Sequence, residues 1–150
     1  MSTTMTLPEI ENLSFTINQE IRVNAPLEVT FEALLEQLVA NEMHDGTPMP
    51  MKLEPWPGGR WYRDLGDNNG HLWAHVQSIK RPTLLEFCGP LFMSFAANNN
   101  VQYRLAEADG VTTIKFRHVA FGLIQDEHRK GVNVGWSHMN EMVRKRAESR

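Results

Sequence analysis

The residues able to do acid–base or ligand chemistry are few, and His118 heads them. In TTIKFRHVAFG the residues Ile114, Phe116, His118 and Ala120 share one parity, so an imidazole stands on an otherwise apolar strand face. Such a histidine serves a ligand hydrogen bond or a general base, or it is a core imidazole satisfied by a neighbouring polar group. No second catalytic partner accompanies it, and the chain has neither a G-x-S-x-G elbow nor a Ser-His-Asp constellation. No catalytic residue is therefore assigned, and a binding protein is favoured over an enzyme.

The six histidines do not make a metal site by spacing. His71 and His75 lie four positions apart on one strand, which separates their α-carbons by roughly 13 Å. His128 and His138 are ten positions apart, roughly 280° around a helix. No H-x-x-x-H or H-E-x-x-H motif is present. Cys88 is the single cysteine, which excludes an internal disulfide and a C-x-x-C centre. It has no basic sequence neighbours and reads as a small buried apolar residue. The glycine pair Gly58-Gly59 is not a phosphate loop, because no Lys-Ser or Lys-Thr follows it and a strand comes next. Beside that turn, Trp61 and Arg63 would line the mouth of a cavity, or Tyr62 if the strand parity is reversed, with the arginine able to hold a carboxylate. A surface arginine over packed aromatics is the plainer account.

These side chains need elements to carry them. Phe15, Ile17, Ile21 and Val23 alternate with polar residues and predict a half-buried strand. APLEVTFEALLEQL follows, with Leu27, Phe31, Leu34, Leu35 and Leu38 at helical spacing and Pro26 where a helix start tolerates proline. From Lys52 to Gly122 the chain reads as a succession of strands, with turns at PWPGG, DNNG and ADG. A long helix without proline runs from about Asp126 to the end, its stripe formed by Val132, Trp136, Met139, Met142 and Val143. That order predicts an α+β fold in which a curved antiparallel sheet wraps around the C-terminal helix.

Composition bounds the rest. One domain spanning residues 13–150, after a loose lead-in Met1–Asn12, suits a chain of 150 residues. A net charge of −3 gives no argument for nucleic acid or an anionic membrane surface. The N-terminus lacks a basic start and an apolar core, and no apolar run approaches the roughly 20 residues that span a bilayer. The expected location is cytoplasmic.

At this point the residues match a known pattern. IRVNAPLEVTFEAL resembles the opening strand and helix of the SRPBCC superfamily, the START and birch-pollen-allergen-like helix-grip proteins. PWPGGRW, the Pro82-TLLEF step, VQYRLAEADGVTTIKFRHVAF and the later VGW resemble its branch related to the activator of heat-shock-protein-90 ATPase. The resemblance covers residues 15 to 147. It implies a cavity between sheet and last helix that takes small hydrophobic molecules in many members.

On that expectation a guest would lie between Trp136 and Met139 of the helix and Phe87, Tyr103, Phe116 and His118 of the sheet, with Trp61 and Arg63 at the mouth. Gly135 would allow close approach beside Trp136. Plain core packing is the competing account of this stripe. Two other functions stay open: a stress-related module that partners heat-shock-protein-90, and an enzyme using His118 on a hydrophobic substrate. No cofactor is implied. Apolar strand surface is compatible with a homodimer, and which face of the strand around Trp73 looks inward is left open.

Overall fold

The computed structural model describes residues 10–150. The expected lead-in, Met1–Asn12, lies mostly outside the described residues; Ile10–Leu13 form one 3₁₀ turn. The alternation around Phe15 builds strand β1, Ser14–Val23, whose exposed and half-buried residues alternate until Val23 is fully buried. Helix α1, Leu27–Val39, starts directly after Pro26. It buries Phe31, Ala33, Leu34 and Leu38, and each large side chain among them contributes about 1.5–3 kcal/mol by leaving water.

Six further strands follow: β2 Lys52–Leu53, β3 Arg60–Gly66, β4 Asn69–Lys80, β5 Leu84–Gly89, β6 Ala97–Ala108 and β7 Val111–Gly122. They join β1 in one antiparallel sheet with the order β1-β7-β6-β5-β4-β3-β2. The chain ends in helix α2, Asp126–Glu148, which packs along β1 and α1 and buries Val132, Trp136, Met139, Asn140 and Val143. The curved sheet, the short helix after the first strand and the long C-terminal helix are the α+β architecture that the periodicities predict and the helix-grip layout that the resemblance implies.

The open question at Trp73 is settled by a break in register. Trp61 pairs with Ala74 and Tyr62 with Leu72, so Trp73 is the extra residue of a β-bulge. A bulge re-aims a side chain without breaking the strand. Here it turns Trp73 toward Trp61, ring centroids 5.1 Å apart, while Ala74 and Val76 remain in the core. The freed Trp73 carbonyl accepts the Leu91 N–H at 2.7 Å. Gly89 makes that approach feasible, because a Cβ there would meet the Trp73 oxygen at 2.5 Å. Cys88 differs from the expectation: it is exposed on β5, one residue off the parity of the buried Leu85 and Phe87.

Candidate functional site

A cavity of about 490 Å³ opens between the first half of α2, strands β3 and β4, the α1–β2 connection and the β5–β6 loop. Its apolar walls are Trp61, Trp73, Phe92, Val132, Trp136 and Met139. Met43 and Met49 close one side, and thioethers adapt to irregular guests. The polar lining consists of Asn41, Glu42, His44, Glu127 and His128.

The aromatic walls are held by their neighbours. Trp61 is buried, stacks on Phe87 at 5.2 Å and donates its indole N–H to the Leu38 carbonyl at 2.9 Å. Phe92 and Trp73 meet edge-to-face at 5.6 Å, and the His128 imidazole stacks on Phe92 at 5.8 Å. Glu42 accepts a hydrogen bond from His138 Nε2 at 2.8 Å, which fastens the α1–β2 connection to α2.

Trp136 is anchored by a relay that runs through the core. Its indole N–H donates to His118 Nδ1 at 2.8 Å. An indole can only donate, so that nitrogen is an acceptor and the imidazole proton sits on Nε2. Nε2 then donates to Asn99 Oδ1 at 2.6 Å. Asn99 Nδ2 passes the chain on to the Gly89 and Pro90 carbonyls, at the start of the loop that bears Phe92. Burial holds the His118 pKa down at about 4, so the ring stays neutral. A second relay lies further along α2. Tyr103 donates to Asn140 Oδ1 at 2.7 Å, and Asn140 donates to Gln19 Oε1 at 2.8 Å. Gln19 in turn donates to Asn133 Oδ1 and Ser137 Oγ. The Tyr103 hydroxyl is fully buried, which pushes its pKa up.

Of the residues that the sequence points to, Trp61, Trp136 and Met139 line the cavity together. Phe87, Tyr103, Phe116 and His118 form the layer behind them: Phe116 lies 4.7 Å from Trp136 and 5.0 Å from Tyr103, centroid to centroid. Arg63 is half-buried opposite His71 and is not part of the lining. Gly135 does not serve close approach to the sheet. It is exposed on the cavity side with Gly131, and a Cβ at either position would meet nothing within 4 Å.

The sequence pattern leaves the face of Trp73 open, raises His128 only as a metal ligand, and does not single out Phe92, Glu42 or Glu127. The bulge hides Trp73, and the loop phenylalanine has no periodicity to mark it. The glycine pair one helical turn apart, beside Val132 and Trp136, was the available sign of an open wall. Among the described residues no group of three or more His, Cys, Asp or Glu could hold a metal ion. No helix among the described residues is long and apolar enough to cross a membrane.

Comparison with known proteins places this geometry. Residues 24–147 match the family described as "Activator of Hsp90 ATPase homolog 1-like protein". No curated protein matches the sequence. Among solved structures, the chain is similar to a conserved protein of unknown function from Enterococcus faecalis, with 14% identity and a TM-score of 0.67 over 93% of this chain and 75% of that one. It is similar to the di-domain ARO/CYC StfQ from the steffimycin biosynthetic pathway, at 10% identity and a TM-score of 0.67 over 94% of this chain and 53% of that one. It is also similar to Ara h 8.0201, at 13% identity and a TM-score of 0.65 over 91% of this chain and 99% of that one. These likenesses concern the fold. The match over residues 24–147 goes further: the chain belongs to the family of activator of Hsp90 ATPase homolog 1-like proteins.

Proposed function

We propose that the protein binds a small, mainly apolar molecule in the cavity between the sheet and α2. The observation that carries this reading is the cavity itself, about 490 Å³ in volume and walled by three of the four tryptophans. Pockets of this size, mostly apolar with a few polar groups, are the usual form of a small-molecule site. The indole N–H groups of Trp61 and Trp136 are bonded inward, so the rings offer carbon faces to a guest. A guest would touch Trp61, Trp73, Phe92, Trp136 and Met139. Phe87, Tyr103 and Phe116 would support that shell, and His118 would act as a positioning residue behind Trp136.

His118 has both ring nitrogens bonded to protein groups and does not line the cavity. Acid–base chemistry on a guest would need that relay to break first, so binding is the better reading. Titration with neutral naphthylethanol or Nile red tests it. The expected result is a saturable change in tryptophan fluorescence, and no saturable change overturns it.

The family description favours a second reading, a module that partners heat-shock-protein-90. Co-precipitation with that chaperone and stimulation of its ATPase support this reading. No complex and no stimulation remove it.

A further inference from the structure

The lining of the cavity is one-sided in charge. Glu42 and Glu127 are part of it, and no lysine or arginine is. Of the cations beside it on α2, Arg129 donates to the Ser14 and Asn12 carbonyls, and Lys130 is exposed one turn from Glu127 and outside the lining. Glu42 uses one carboxylate oxygen for His138, and its other oxygen has no protein partner among the described residues. Glu127 is exposed and has neither hydrogen bond nor ion pair among the described residues. Its place in the first turn of α2 suits the helix dipole, which explains the carboxylate but not a cation-free cavity beside it. Four aromatic rings, Trp61, Trp73, Phe92 and Trp136, complete the surroundings. Aromatic faces attract cations through the ring quadrupole, most strongly where water is excluded.

We infer that the cavity selects an amphiphilic cation over an amphiphilic anion: an organic amine whose apolar body lies among Trp61, Trp73 and Trp136 and whose ammonium rests near Glu42 and Glu127. A carboxylate on the same apolar body would enter without a counter-charge and against two like charges. This inference rests on the cavity-binding reading above and adds the charge of the guest to it.

The test compares three ligands of near-equal shape on the full chain: naphthylethylamine, naphthylethanol and naphthylacetate, each followed by tryptophan fluorescence. The assay is run at about pH 8, above the ordinary range of imidazole. The expected order is amine, then alcohol, then acetate, with the amine at least about tenfold tighter than the acetate. Glu127→Gln and Glu42→Gln should each shrink that amine-to-acetate ratio severalfold, and an unchanged ratio in both variants overturns the inference. Glu127 is solvent-facing, so its variant reads charge without a burden on folding. Acetate binding as tightly as the amine, with saturable alcohol binding, overturns the inference and leaves the cavity reading standing. No saturable binding by any of the three overturns both.

Discussion

Trp136 on α2 donates its indole N–H to His118 Nδ1 on β7 at 2.8 Å, with the two rings edge-to-face at 5.6 Å. This contact ties a wall of the cavity to a buried imidazole that is itself tied to the loop carrying Phe92. A histidine on an apolar strand face thus fixes where Trp136 sits.

The relay predicts a pH dependence of stability. Burial lowers the folded pKa of His118 from 6.5 to about 4, so below about pH 6.5 the unfolded chain takes up a proton that the folded chain refuses. The stabilisation is complete above pH 6.5 and is lost as pH falls toward 4, about 3 kcal/mol in all. Urea unfolding at several pH values measures it. His118→Gln keeps a donor and an acceptor but does not titrate, so its stability should fall less steeply across that window. Parallel curves for the two proteins would contradict the relay.

Tyr103→Phe isolates the second relay. The substitution leaves Asn140 Oδ1 buried without its donor, at a cost of about 1–3 kcal/mol in chemical denaturation. Tyr103 does not line the cavity, so the affinity for naphthylethanol should stay within about twofold. A large loss of affinity with unchanged stability would reverse the two roles.

The glycines of α2 predict a gain in stability. Gly131 and Gly135 stand in a helix interior with open space where a Cβ would go. Gly131→Ala and Gly135→Ala should each stabilise the fold by about 0.5–1 kcal/mol, read as a raised denaturation midpoint. A drop instead would show that something packs against that face of the helix.

The architecture was legible because burial leaves a period. Leu34 and Leu38 mark α1, Ile114 and Phe116 mark β7, and Val132, Trp136 and Val143 mark the inner face of α2, all buried. The cavity was legible only where it shares those stripes, at Trp61, Trp136 and Met139. Its remaining walls depend on features without a period: a one-residue bulge at Trp73, a loop phenylalanine, and two glycines whose significance lies in what is missing beside them. Cys88 was misplaced because the step from Phe87 to the next residue crosses the sheet to its exposed side. Charge at the rim was illegible for a related reason. Glu42 and Glu127 are far apart in sequence, and only the docking of α2 against the α1–β2 connection brings them to one opening.

The most direct test of the central claim is a naphthylethanol titration of the wild-type chain beside Gly135→Leu, with circular dichroism confirming that both are folded. A leucine at 135 has space to grow into, and that space is the cavity. The account predicts saturable quenching in the wild type and at least about a tenfold loss of affinity in the folded variant. Equal binding by both proteins, or none by the wild type, would contradict it.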